Sequence, residues 1–416
     1  LIRFFIDIVP GEALWLGIVI LLIGAASSLL GVLYALCEHD LKRLLAYHSI
    51  ENIGIILLGL GGALVFGALG FDALMILALV ASLYHTANHA VFKALLFLGA
   101  GSVAHATHTR NIEEYGGLIK TMGWTAGCFL IGSLAISGMP PFNGFVSEWL
   151  TFQALFAGIA PSSMALTVLF LVGISSLAFT GGLAAACFVK AFGAVFLAKP
   201  RSEHARHAHE CGMAMRLGMA GLALLALLLG IGSGYVVPAL ATVAEKLTGA
   251  VGDASTLAST SASIVVRDQF AALSMPAIAA LLLGLLIAAW VVVAIISRNR
   301  KITTGLTWDC GSPLSSRMEI TATGFSRSLL IIFKALVRPT KKIESVFADK
   351  REYVLSQRTV DLGVHDVYET YGYNPLHYWT DRLSLIAKKI QSGNVNAYIL
   401  YVAIALLLMM IWTSLF

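Results

Sequence analysis

Eight stretches of this 416-residue chain are apolar for long enough to cross a membrane, and that property closes off most folds. They lie near residues 14–37, 47–66, 73–104, 121–139, 163–198, 216–240, 275–297 and 396–415. A helix needs roughly 20 residues to cross about 30 Å of hydrocarbon, and these windows meet or exceed that length. The segment 142–158 continues the fourth stretch past a break. Lipid offers no partner to a free backbone N–H or C=O, so spanning segments are helices or strands of a closed barrel. The chain lacks the short alternating strands of a barrel. Composition agrees, with 58% hydrophobic and 12% charged residues and a mean hydropathy of +0.83. The expected fold class is all-α: a polytopic membrane helix bundle with broken helices.

Four regions follow. Residues 1–240 read as a transmembrane bundle, and 241–297 as a polar external loop plus a further transmembrane helix. Residues 298–392 read as a cytoplasmic or interfacial lateral amphipathic segment, and 393–416 as a C-terminal transmembrane anchor. The lateral segment keeps apolar residues three and four apart, as at Ile343, Val346 and Phe347 and again at Tyr353, Val354 and Leu355. That spacing suggests helices lying along the membrane surface or against partner subunits. The opening LIRFF reads as the tail of an earlier helix rather than a signal peptide, so a longer chain with a further N-terminal part is expected.

Charge sets the topology. Threading eight crossings puts 23 of the 28 Lys and Arg residues in four connections on one side: EHDLKR, HATHTRNIEEYGGLIK, KPRSEHARHAHECGMAMR and 298–391. That bias makes those connections cytoplasmic in a cell (inner) membrane. The net charge of +5 therefore reflects topology and calls for no nucleic acid. The five cysteines form no C-x-x-C, and no G-x-x-x-x-G-K-[ST] loop is present. No redox centre, structural zinc site or nucleotide motor is encoded in this chain.

The chemistry concentrates in SLYHTANHAVFKALLFLG. His85, His89 and Lys93 fall four residues apart, so they form a polar ladder on one helix face over two turns. Each ionisable group at mid-membrane costs about 2.5–3.5 kcal/mol on insertion scales, so such groups face a wet or protein-lined interior and mark an ion path. The alternative is that they only tie helices together. In ISGMPPFNGFVSEWLTF, two prolines, Gly138 and Gly144 interrupt an apolar segment, and Glu148 follows the break. Its carboxylate can hold a proton or pair with a lysine; alternatively it snorkels to the interface beside Trp149.

Lys190 serves equally as a relay or as a snorkelling side chain. Glu51, beside His48 and Asn52 in AYHSIENIG, serves as an entrance to the ladder or is simply wetted. The run SEHARHAHEC matches no zinc spacing and reads as a solvated loop. Asp40 is expected to cap the helix that follows it.

The motifs ALCEHDLKRLLAYHSIENIGIILLGLG, HTANHAVFKALLFLGAGSV, GGLIKTMGWT and SGMPPFNGFVSEWL together resemble the antiporter-like subunits shared by respiratory complex I, Mrp-type cation/proton antiporters and membrane-bound hydrogenases. YHSIENIG and the later WDCG are most similar to the hydrogenase-4 and formate hydrogenlyase branch. The resemblance implies that residues 14–198 are the second of two inverted five-helix repeats. It also implies that Lys93 lies on a central proton-relay helix and that Glu148 is the terminal broken-helix site. His85, His89, Lys93, Glu148, Lys190 and Glu51 are the candidate pathway residues. No cofactor is expected in this chain; iron–sulfur clusters and a nickel–iron centre are expected in partner subunits. The implied function is proton conduction within a group 4 hydrogenase complex. The rivals are a subunit of an NADH:quinone oxidoreductase-like complex and an Mrp-type sodium/proton antiporter subunit.

Overall fold

The structure is a computed structural model that describes residues 14–249, 257–260, 263–266, 271–298, 305, 311, 314–347, 355–364, 368–391 and 393–415. LIRFF, Trp308 to Cys310 of WDCG, and the expected helix positions Tyr353 and Val354 lie outside these residues. The chain divides into two units, Leu1–Val337 and Arg338–Phe416.

The first unit opens with two long helices, α1 (Leu14–Cys37) and α2 (Leu41–Ala68). Lipid is as apolar as leucine, so helices in a membrane associate through close packing and polar bonds rather than through water exclusion. Glycines at a seven-residue interval provide that closeness. A Cβ on Gly24 would lie 2.8 Å from the Gly54 oxygen, one on Gly54 2.4 Å from the Ser28 nitrogen, and one on Gly61 2.6 Å from the Leu21 nitrogen. Gly31 extends the stripe to the functional region, since its Cβ would meet the Glu51 nitrogen at 2.6 Å. Asp40 caps α2 as the sequence predicts, accepting from Lys42 N at 2.8 Å and Arg43 N at 3.0 Å.

Helix α3 (Asp72–Thr107) runs 36 residues, about 54 Å at 1.5 Å per residue, longer than the hydrocarbon layer is thick. The next crossing is broken. Helix α4 (Gly123–Ile136) stops before Gly138 and the two prolines, and α5 (Asn143–Ala157) resumes after them. Gly138 adopts φ +59, a backbone region open to glycine. Gly144 sits so close to α4 that a Cβ would lie 1.9 Å from the Ala135 oxygen. Helix α6 (Met164–Phe196) then crosses, and a single turn, α7 (Glu203–His207), lies in the following connection.

The apolar window 216–240 proves to be two helices. Helix α8 (Met213–Ile231) ends at Gly232 and α9 (Ser233–Thr248) starts directly after it. The end of α8 closes over the break: a Cβ on Gly230 would lie 2.1 Å from the Pro141 oxygen, and Tyr84 Oη donates to the Leu229 carbonyl at 2.5 Å. The expected loop beyond holds three short antiparallel strands, β1 (Leu257–Thr260), β2 (Ser263–Val266) and β3 (Ala271–Leu273). Its β-branched residues favour strands, and Ile264 is buried in the core.

Helix α10 (Met275–Ser297) is a further span. Helices α11 (Ala322–Ile332) and α12 (Lys334–Val337) follow. The start of α11 is fastened to the bundle by Ser326 Oγ donating to the Leu36 carbonyl at 2.6 Å and by Thr323 donating twice to Glu113 Oε1.

In the second unit, the amphipathic helices expected around Ile343, Val346 and Phe347 are replaced by a hairpin of β4 (Pro339–Phe347) and β5 (Leu355–Val364), with Ile343 opposite Val360. A three-residue apolar spacing is ambiguous in a short run. Val360, Leu362 and Val364 recur at the strand period of two, and the neighbouring β-branched residues favour extended chain. The expected helix does form further on, as α13 (Asn374–Ile390), with proline in its first turn and Lys388 and Lys389 in its last. Helix α14 (Val395–Leu415) is long and apolar enough to span. Among the described residues seven helices meet that criterion; the α4–α5 pair provides the eighth expected crossing.

Candidate functional site

Polar groups gather where α2, α3, α5 and α6 meet. Helices α2 and α3 run antiparallel, and their pairing is read from three bonds: Ser82 Oγ to the Ile56 carbonyl at 3.0 Å, His85 Nε2 to Asn52 Oδ1 at 3.1 Å, and Lys93 Nζ to the Leu45 carbonyl at 3.0 Å. As α3 advances eight residues from His85 to Lys93, α2 retreats seven from Asn52 to Leu45, as equal helical rises require.

The centre is a closed hydrogen-bond cluster of fully buried side chains. His85 bonds through its two ring nitrogens to Asn52 and, at 3.0 Å, to Ser147 Oγ of α5. Asn88 Nδ2 donates to Ser147 Oγ at 3.1 Å and to the Asn143 carbonyl at 2.9 Å; Asn143 Nδ2 returns a bond to Asn88 Oδ1 at 3.2 Å. Asn143 begins the second half of the broken helix, so the break brings an amide into the bundle interior at this level. On α2 the cluster continues one turn toward the N-terminus, where Asn52 Nδ2 donates to the His48 carbonyl at 2.7 Å and the His48 ring is bonded to the Glu51 carboxylate. His48 packs against Phe188 of α6, ring centroids 4.6 Å apart.

The six predicted residues divide. His85, Glu51 and Lys93 are buried in this region. His89 is half-buried, in a T-shaped contact with Phe92 (ring centroids 5.7 Å apart), and its Nε2 has no hydrogen-bond partner among the described residues. Glu148 stands on α5 and turns its carboxylate toward the break: its Oε2 would be 2.6 Å from a Cβ on Gly138 and 3.8 Å from one on Gly181 of α6. Among the described residues no hydrogen bond joins its carboxylate to Ser147 or to the asparagines. Lys190 lies near enough to His48 to act on it electrostatically, but its hydrogen bonds go elsewhere. Its ammonium donates to the carbonyls of Leu36 at 2.7 Å, Glu38 at 3.1 Å and Ala35 at 3.5 Å, which tie it to the C-terminal end of α1. The negative end of a helix attracts a cation there, so snorkelling does not describe this lysine.

Asn88, Asn143 and Ser147 are the members that a search for titratable residues passes over. Asn88 stands three residues after His85, on the same helix face, and both asparagines interrupt apolar runs. That is the signal by which they could be found.

The NADH:quinone oxidoreductase/Mrp antiporter transmembrane family model matches residues 1–177. Hydrogenase-4 component B of Escherichia coli (strain K12) is 38% identical over 408 residues, 96% of this chain and 59% of that protein. Formate hydrogenlyase subunit 3 of the same strain is 34% identical over 344 residues, 82% of this chain and 54% of that protein. The chain thus spans just over half the length of these relatives. A subunit of the membrane-bound sulfane sulfur reductase, an archaeal respiratory membrane complex, shares the fold with a TM-score of 0.60 at 22% identity, covering 95% of this chain and 56% of that one. With its broken helix, its charged ladder and these relatives, the chain belongs to the antiporter-like membrane-subunit family of NADH:quinone oxidoreductases and Mrp antiporters.

Proposed function

We propose that this chain is a proton-conducting membrane subunit of a group 4 nickel–iron hydrogenase complex, of the hydrogenase-4 or formate hydrogenlyase type. The observation that carries the reading is the buried cluster from Glu51 and His48 through Asn52 and His85 to Ser147, flanked by Lys93. A buried polar network inside an apolar bundle is costly to assemble from lipid-compatible helices, and titratable groups within it fit an ion path. Protons would enter through Glu51 and His48, be held in turn by His85 and Lys93, and leave by way of Glu148. Water would bridge from the ladder to Glu148. Electron transfer in soluble partner subunits, which would carry the iron–sulfur clusters and the nickel–iron centre, would drive the charge shifts. The four basic connections would face the cytoplasm across the inner membrane.

Purification of the tagged protein from its native membrane tests this reading. A nickel-containing, hydrogen-evolving complex is expected, with proton flux independent of sodium. Quinone reduction without hydrogen evolution would assign the chain to an NADH:quinone oxidoreductase-like complex instead. Sodium-dependent proton flux from an assembly without nickel would assign it to an Mrp-type antiporter.

A further inference from the structure

One hydroxyl in the cluster has a single hydrogen and two acceptors for it. Ser147 Oγ lies 3.0 Å from His85 Nδ1 and 3.1 Å from the carbonyl oxygen of Gly144, one turn earlier on its own helix. It also receives a bond from Asn88 Nδ2 at 3.1 Å. The roles of the neighbours are fixed from outside. Asn52 commits its NH2 group to the His48 carbonyl, so its Oδ1 faces His85, and His85 Nε2 must be the donor of that bond. Asn88 donates to the Asn143 carbonyl and accepts at Oδ1 from Asn143, which leaves its second N–H for Ser147.

Two arrangements satisfy His85, Ser147 and Asn88 alike. When His85 is neutral, Nε2 carries its hydrogen, Nδ1 is a bare acceptor, and the Ser147 hydroxyl donates to it. When a second proton sits on the ring, Nδ1 becomes a donor. Ser147 Oγ then accepts from both His85 and Asn88, and its hydrogen swings to the Gly144 carbonyl. No heavy atom has to move between the two states. A buried donor that loses its acceptor carries the full desolvation penalty, and the penalty is larger when the donor is charged. From this geometry we propose that Ser147 is the positioning residue that allows His85 to take up and release a proton inside the membrane. The inference rests on the proton-conduction reading above, and it adds a neutral switch to the titratable groups around it: Glu51 and His48 on α2, His89 and Lys93 on α3, and Glu148 on α5.

The test uses the whole complex reconstituted in vesicles, with proton flux measured per assembled complex. Ser147→Ala removes the hydroxyl, and flux is expected to fall at least about fivefold. Ser147→Thr keeps a hydroxyl and is expected to recover at least half of the parental flux. A smaller fall in Ser147→Ala, or no recovery in Ser147→Thr, overturns the switch. Lys93→Met runs beside them: flux lost there but kept in Ser147→Ala overturns only the role of Ser147. Flux kept in both variants overturns the proton-conduction reading beneath it.

Discussion

Asn52 Oδ1 accepts a hydrogen bond from His85 Nε2 at 3.1 Å, and this contact between two buried side chains fixes the mutual register of α2 and α3. Apolar packing in a membrane leaves antiparallel helices free to slide by a turn, whereas a buried amide and imidazole that satisfy each other permit one setting.

Asn52→Leu tests that setting. It leaves His85 Nε2 without its acceptor and removes the side-chain donor to the His48 carbonyl, which keeps its helical backbone bond. Leaving a buried donor unpaired costs about 1–3 kcal/mol, so thermal stability of the detergent-solubilised complex should fall and proton flux should drop about tenfold. Unchanged stability and flux would mean that the bond does not organise the site.

The glycine stripe between α1 and α2 makes a separate prediction. A side chain at Gly54 would meet backbone atoms of Ser28 at 2.4 and 2.9 Å, and backbone cannot rotate away. Gly54→Val should destabilise by about 3 kcal/mol or more and lower the amount of assembled complex in membranes. Gly101, whose Cβ would meet nothing within 4 Å, is the control, and Gly101→Ala should assemble normally. Equal yields for the two variants would show that the helices tolerate separation.

Lys190 is expected to support structure rather than transport. Lys190→Met removes donors from three carbonyls at the end of α1, so the melting temperature should fall. Flux per surviving complex is expected to stay within about twofold of the parent, a range set by an indirect effect of under about 0.5 kcal/mol. A tenfold loss of flux with normal stability would return Lys190 to the pathway.

Glu210 gives a pH dependence outside the membrane spans. Its carboxylate caps the start of α4 by accepting from Trp124 N at 2.9 Å, Thr125 N at 3.2 Å and Thr125 Oγ1 at 2.5 Å. Burial pushes its pKa up, but these bonds, led by the Thr125 hydroxyl, together with the Cys211 N–H, pull it below the ordinary value of 4.5. A carboxylate depressed in the folded state stabilises the fold fully above its unfolded value and loses that contribution as pH falls through the folded one. Glu210→Gln should therefore be less stable than the parent at pH 7, by about 0.5–2 kcal/mol. The gap should narrow as the pH drops below 4.5. A gap that stays constant down to acid pH would contradict the cap.

The sequence carries the crossings and the ladder because both depend on local pattern. Apolar length marks each span, and i, i+4 spacing puts His85, His89 and Lys93 on one face whatever surrounds the helix. The partners of those residues depend on how α2, α5 and α6 approach, which no local pattern encodes. Lys190 and Lys93 look alike in sequence, yet one is bonded to the end of α1 and the other to the Leu45 carbonyl of α2, about one turn before His48. Asn143 and Ser147 are chemically neutral, so a reading guided by titratable groups overlooks them. The hairpin at 339–364 was obscured for another reason: short apolar runs fit helix and strand periods about equally well.

The most direct measurement is the number of protons moved per hydrogen evolved in the complex carrying Lys93→Met. That substitution removes the ammonium bonded to the Leu45 carbonyl while keeping most of the side-chain volume. If protons travel through this buried cluster, the ratio falls at least about tenfold, equivalent to a barrier higher by about 1.4 kcal/mol, while hydrogen evolution in uncoupled vesicles persists. A ratio equal to that of the parent would mean that the polar groups only hold the helices together.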